Sequence, residues 1–364
     1  MKKLTQKQRE RQRRLMAYRW RSDRYQYLLR RRARQNREKY GGLIYYLKAP
    51  EHFDLTGRYT LPLLQFIKRL TKAAASPDTG CIKLDFSSTE IMVADGTLYF
   101  LAHLERLKLL YPQKRFRMCP PSDAIVKQVL HHVGIASHLG SVKDLQPEKL
   151  HKTVRYWHKA TGIKVEPGRA ENVFGSFEGR ITKELQRSVY TGVSEAMTNC
   201  LHHAYDGGTP EICRRWWLFS REYNGEMHVV FCDLGIGIPN SLYRKTEDVQ
   251  EGWWDALRQW FRENRKSGQY FDDAMKIKAA IEIGRTRTKL GHRGKGLKQM
   301  VDFLEKIGHN SAKVSIYSGK GVYHRAPKNG KPCEFTFPLS IQDRKATIAG
   351  TLIHWSVPLI GGSD

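Results

Sequence analysis

The chain contains no run of 18 apolar residues, so no transmembrane helix is expected. Its N-terminus lacks the apolar core of a signal peptide, which argues against secretion. No CxxC pair occurs. The six cysteines (Cys81, Cys119, Cys200, Cys213, Cys232 and Cys333) are scattered, which excludes the usual zinc ribbon and disulfide framework. A reducing cytoplasm is therefore the default expectation. Acidic residues are scarce: 36 Asp+Glu stand against 63 Lys+Arg, a formal net charge of +27. Such an excess favours an anionic partner, most simply nucleic acid. No helix-turn-helix, RRM or zinc-finger pattern points to sequence-specific reading.

What is present divides the 364 residues into four parts. Residues 1–42 form a basic helical arm. Its first 40 residues hold 16 Lys+Arg, three acids and no Gly or Pro, a net of +13. Arg13, Arg14, Arg19, Arg21, Arg30, Arg31, Arg32 and Arg34 are the expected phosphate contacts, and Tyr18, Trp20, Tyr25 and Tyr27 lie among them. Arginines pair with phosphates and aromatic rings stack on unpaired bases. An RNA- or DNA-gripping arm, a solvated tail and a helix docked on an acidic partner protein all remain open. Gly41–Gly42 ends this segment.

Residues 43–150 alternate strand-like and helix-like stretches, which implies an open α/β sheet. Leu43–Leu55 reads as one or two strands, Leu61–Ala75 as a helix and Cys81–Phe86 as a strand. Leu98, Leu101, Leu104, Leu107 and Tyr111 mark a helical face. Arg115–Cys119 is a short strand, after which Ser122 is expected to cap a helix ending at Gly134. The run from Leu84-Asp-Phe-Ser-Ser through Asp95-Gly-Thr-Leu to Gly134-Ile135 resembles the STAS domain of anti-sigma-factor antagonists. Regulated members carry a phosphorylatable serine where this chain has Asp95, so no phosphoswitch is expected there, although Ser87, Ser88 and Thr97 are close by. The resemblance implies a scaffold or partner-binding unit. Residues 151–180 read as a connecting segment.

Three motifs follow within residues 181–364. In Val193-Ser-Glu-Ala-Met-Thr-Asn-Cys-Leu-His-His-Ala-Tyr205, Glu195, Asn199 and His203 are spaced i, i+4, i+8. On one helix they form a polar stripe with about 6 Å between neighbours. Val193, Ala196, Met197, Cys200 and Leu201 are its candidate buried face. A carboxylate, an amide oxygen and an imidazole can orient water, hold Mg²⁺ and meet phosphate. In Val229-Val-Phe-Cys-Asp-Leu-Gly-Ile-Gly-Ile-Pro239 an apolar strand leads to Asp233 and a turn containing Gly235 and Gly237. Such an Asp can accept a hydrogen bond from an exocyclic amine, and glycines permit close backbone approach to a ligand. In Gly291-His-Arg-Gly-Lys-Gly-Leu-Lys-Gln-Met300, glycines opening a helix expose N–H groups to phosphate, with Arg293 and Lys295 adding charge.

In this order the motifs resemble the N, G1 and G2 boxes of the GHKL ATPase superfamily, and the first looks closest to the anti-sigma-factor serine kinases. The resemblance implies an α+β organisation: a STAS-like α/β domain followed by a Bergerat fold, a mixed sheet with helices on one face. It implies ATP and Mg²⁺ as ligands. Glu195 would be the base that activates water, and Asn199 would coordinate Mg²⁺. His203 would sit near the phosphates or the metal, and Asp233 would read adenine with Gly235, Gly237 and Thr351 around it. Gly291, Arg293, Gly294, Lys295, Gly296 and Leu297 would wrap the phosphates. Residues 240–290 would form the lid, whose basic run Arg285–Lys289, with Thr288, would close on the nucleotide. Trp253, Trp254, Leu257, Trp260 and Phe261 have helical spacing there and are expected to pack, and Phe271–Ile283 reads as a second helix.

Three functions fit: an ATPase acting as a nucleotide-driven switch, a protein serine kinase, or a nucleic-acid-binding component with structural ATP. Architecture alone suggests a subunit of a larger bacterial assembly, such as a phage-defence or mobile-element system. A partner protein would meet the STAS-like domain or the lid, and no membrane partner is expected.

Overall fold

Crossover helices are what parallel strands require, and residues 43–138 supply them. In the computed structural model the described residues are 24, 26–28, 31, 34–35, 37–140, 150–154, 157–177, 179–242, 253–264, 272–283, 312–329 and 331–360. The first unit runs β1 (Leu43–Lys48), β2 (His52–Phe53), α1 (Thr60–Ala75), β3 (Thr79–Asp85), β4 (Ile91–Met92), α2 (Ala94–Leu110), β5 (Arg115–Cys119) and α3 (Ala124–His132). β1, β3 and β5 form a parallel sheet in the order β1-β3-β5, and β2 pairs with β4. These elements lie where hydrophobic periodicity places them. The cap of α3 is a correction. Asp123, not Ser122, accepts the Val126 N–H (2.8 Å), while the Ser122 hydroxyl donates to the Ser87 carbonyl (3.0 Å). Gly134 ends the segment in a left-handed conformation (φ 81°), as expected.

The second unit contains β6 (His158–Gly162), α4 (Pro167–Phe174), α5 (Lys183–Asn199), β7 (Trp216–Tyr223), β8 (Glu226–Asp233), α6 (Trp253–Asn264), α7 (Asp273–Ile283), β9 (Lys313–Gly319), β10 (Gly321–Lys328), β11 (Lys331–Pro338) and β12 (Ile348–Pro358). Its strands form one seven-stranded sheet in the order β11-β10-β9-β12-β8-β7-β6. The segment read as a connector thus supplies the edge strand β6 and the helix α4.

The described strands of this sheet are antiparallel throughout, where the resemblance implied a mixed sheet. Both faces are covered, where one was expected. On one face α4, α5 and α7 pack through Val173, Val193, Met197, Ile277 and Ile281 onto Trp216, Phe231, Ile316 and Trp355. On the other, Trp217, Phe219, Val230, Cys232 and Leu352 share a core with the first unit. Double cover explains why Trp216–Arg221 are six consecutive buried residues without alternation.

Helix α2 carries the junction. Residues 94–102 are all buried, the pattern of a helix enclosed on every side. It packs on α1 and β2 and also on β7, β8 and β12. Asp95 lies in its first turn, 1% exposed, with Oδ2 3.5 Å from His354 Nδ1 of β12. Asp95 is therefore enclosed between the two units. Glu105 of the same helix accepts hydrogen bonds from Trp217 Nε1 (2.8 Å) and His138 Nε2 (2.9 Å), with Lys159 at 3.8 Å. Burial pushes the Glu105 pKa up, but these bonds and the Lys159 charge hold it below the ordinary carboxylate value. Among the described residues no helix is long and apolar enough to cross a membrane.

Because Glu105 bridges the units, Glu105→Ala leaves the buried Trp217 N–H unpaired. It is expected to cost about 1–3 kcal/mol. Urea unfolding followed by tryptophan fluorescence and far-ultraviolet circular dichroism checks this. One shared transition is expected, shifted to lower denaturant in the variant.

Candidate functional site

The apolar run of β8 delivers Asp233 to the end of a central strand, where its carboxyl is buried (4% exposed). The chain then turns through Gly235 and Gly237. Asp233 Oδ1 accepts the Gly235 N–H (2.8 Å), and the backbone N–H of Thr351, its partner across β12, also bonds to the carboxyl. Burial pushes the Asp233 pKa up to about 7 despite these two donors. An ionised carboxylate offers about four acceptor positions, so two donors leave capacity for a third group such as an exocyclic amine.

The glycines answer first to the protein's own backbone. A Cβ on Gly235 would collide with the Ala204 carbonyl, and one on Gly350 (φ 71°) with the backbone of Asp233. Close approach at these positions thus joins the site's own segments, where sequence reading gave the turn glycines to a ligand.

Glu195 and Asn199 lie half-buried on α5, and Val193, Ala196, Met197 and Cys200 form its buried face as expected, with Leu201 half-buried. From Cys200 to Ala204 the helix widens into a π-turn, so the i, i+4, i+8 spacing lapses and His202 and His203 are exposed. The cause is the contact that follows. The Ala204 carbonyl accepts the Ile236 N–H (2.7 Å), and the Tyr205 hydroxyl donates to Arg215 O (2.5 Å) while accepting the Leu234 N–H (3.1 Å). Burial raises the Tyr205 pKa far above the usual phenol value, with the Asp233 charge second, which keeps the hydroxyl a donor. The first and second motifs therefore meet at Ala204–Tyr205 and Leu234–Ile236.

Three contributors carry no local signature. The Ser318 hydroxyl donates to Gly350 O (2.8 Å) and accepts the Ile238 N–H (2.9 Å), tying β9 to both neighbours of the turn. Arg106 Nη1 of α2 donates to Leu234 O (2.7 Å). Tyr99 Oη of α2 accepts the Ala349 N–H (2.8 Å). Arg106 and Tyr99 stand 128 and 250 positions from their partners, so no motif scan connects them.

Thr288, Gly291, Arg293, Gly294, Lys295, Gly296 and Leu297 lie outside the described residues, as do Arg285–Lys289 and Arg13, Arg14, Arg19, Arg21, Arg30 and Arg32. Arg31 and Arg34 are exposed on the arm's helix, with Arg34 Nε 3.1 Å from Glu38 Oε1. Within residues 240–290, α6 and α7 pack together through Leu257, Trp260, Ala279 and Ile283. Among the described residues no three His, Cys, Asp or Glu side chains converge as a metal site. No protein-family model, curated protein or solved structure matches the chain.

The raised pKa of Asp233 has a stability consequence. The folded carboxyl keeps its proton up to about pH 7, while the unfolded one releases it near its ordinary value of 3.8. Its contribution to stability is complete below pH 4, falls as pH rises to 7 and is level above. The swing is about 4 kcal/mol at most. Urea unfolding of wild type and Asp233→Asn at pH 5 and pH 8 checks it. The stability difference is expected to move in the variant's favour at pH 8.

Proposed function

We propose that the chain binds Mg·ATP in a GHKL-type site and works as an ATPase whose nucleotide state switches the conformation of an attached partner-binding unit. In this reading residues 43–150 are a STAS-like domain, residues 181–364 a Bergerat-type domain, and the arm engages nucleic acid. The observation that carries it is the meeting of two motifs remote in sequence. The helix bearing Glu195 and Asn199 ends with its Ala204 carbonyl on the Ile236 N–H, beside the buried Asp233. A carboxylate beneath a glycine turn suits an exocyclic amine, and a second carboxylate with an amide suits water and Mg²⁺. Asp233 would accept from the adenine amine, Glu195 would orient and deprotonate water, and Asn199 would hold the metal. Gly291, Gly294 and Gly296, with Lys295 and Arg293, would supply N–H groups and charge for the phosphates. The nucleotide supplies the phosphoryl group, and positioning and charge neutralisation do the rest.

The switch reading has its own support. Arg106 and Tyr99 bind the backbone on both sides of the candidate site, at Leu234 and Ala349. Any shift of the Asp233 turn is therefore felt by α2. Asp95, buried against His354, gives no accessible acceptor for a kinase acting on its own STAS-like unit. This favours the switch over the serine-kinase alternative.

Phosphate release from Mg·ATP, together with binding of a fluorescent ATP analogue, tests the site. Glu195→Ala is expected to keep binding and to lose turnover by about 100-fold or more, the usual contribution of a general base. Asp233→Asn is expected to weaken binding. Equal turnover in wild type and Glu195→Ala would remove the assigned base. For the arm, deletion of residues 1–40 is expected to weaken nucleic-acid binding and to flatten its salt slope, read by anisotropy across a salt series. Unchanged affinity would refute it.

A further inference from the structure

The parallel sheet of the first unit has two unlike faces. Tyr45, Leu47, Ile82, Leu84, Phe116 and Met118 point into the core. The alternate residues form the outer face, and the register aligns them in rows: Tyr46, Lys83 and Arg117; Ile44, Cys81 and Arg115; Lys48, Asp85 and Cys119. Four cations therefore share a three-stranded surface with one carboxylate. That carboxylate, Asp85, is turned to its own loop, where Oδ1 accepts the Ser87 N–H (3.0 Å). Tyr46 is 63% exposed, and Lys48, Arg115 and Arg117 are exposed too. An exposed tyrosine and three exposed cations on a sheet face add no stability that burial would provide.

The aromatic and basic groups are interleaved. Lys83 Nζ lies 5.6 Å from the Tyr46 ring centroid, and Arg115 Cζ lies 5.8 Å from that of Tyr40. Tyr40 is the last helical residue before Gly41–Gly42, so the arm reaches the sheet at this face. The cations also converge on the centre: Cys81 is buried among them, and Arg117, Arg115 and Lys83 all oppose the upward push that burial gives its thiol.

We propose that this outer face, with Tyr46 and Tyr40 as stacking platforms among Lys48, Lys83, Arg115 and Arg117, binds single-stranded nucleic acid. Aromatic rings on an open sheet take the faces of unpaired bases, and flanking cations take the backbone phosphates. Charge complementarity selects a polyanion, and the exposed Tyr46 ring selects unpaired bases over duplex. The inference does not rest on nucleotide binding in the second unit. It gives the nucleic acid a surface separate from the arm's arginines.

The test is fluorescence anisotropy on the full chain with 12-nucleotide oligouridylate and oligothymidylate, a duplex of equal length and a polyglutamate peptide. Single strands are expected to bind tighter than duplex. Tyr46→Ala is expected to lose about 5- to 150-fold in affinity, with Tyr46→Phe close to wild type. Lys83→Ala and Arg117→Ala are each expected to flatten the salt slope by about 0.7, one phosphate contact. Unchanged melting temperatures confirm that the exposed substitutions leave the fold intact. Wild-type affinity in Tyr46→Ala, preference for duplex, or equal binding of polyglutamate overturns the proposal. In the full chain, Arg13→Gln, Arg14→Gln, Arg19→Gln and Arg21→Gln combined report on the arm alone. Loss of binding there, with Tyr46→Ala unaffected, also overturns the role of the face and leaves the arm's role standing.

Discussion

Everything in the arrangement depends on burying one helix from all sides. α2 has nine successive buried residues, and no single layer can enclose such a helix. The first unit covers part of its surface through α1 and β2, and the seven-stranded sheet covers another part through β7, β8 and β12. The large sheet has the complementary need, because its second face is as apolar as the first. Trp217, Phe219, Val230, Cys232 and Leu352 would otherwise be wet. Each unit is thus the missing layer of the other.

Several polar groups at this junction are paired in a way that fixes register. Glu105 takes the indole N–H of Trp217 and the imidazole of His138, while Tyr99 and Arg106 reach backbone groups at strand ends. Such groups are tolerated inside an apolar contact because each has a partner in the opposite layer. The same bonds place α2 against the turn that follows Asp233. That turn follows a buried carboxyl whose pKa is pushed up to about 7, and it is anchored from β8, β12 and, through Leu234, from α2.

Much of the fold is legible in the sequence. Val229–Cys232 reads as a strand because both of its faces are buried, and Arg115–Cys119 because alternate residues are. Other elements give weaker signals. Trp216–Tyr223 lacks alternation, so its period does not separate a strand from a buried helix. β10 and β11 carry Pro327, Pro332 and Pro338, which read as breakers but sit at hairpin ends and on an edge strand. For the site, Asp233 and Thr351 are legible from their motifs, and the register pairs them. The π-turn at Cys200–Ala204 is not, because it answers to a backbone contact with Ile236 rather than to local propensity. Ser318, Arg106 and Tyr99 are invisible for the same reason: tertiary partners define them.

The double enclosure of α2 also sets an order of events during synthesis. Its first cover is complete once β5 and α3 have been made, but β12, which closes its other side, ends at Pro358. From His132 to Pro358 is 226 residues, or about 11–45 s at ordinary translation rates. For that interval the nascent chain carries a partly bare apolar helix, which is the kind of surface chaperones hold. The strand that finally covers it is the one that brings Thr351 to Asp233. The candidate site is therefore assembled last, and a polypeptide that has it has already finished folding its interior.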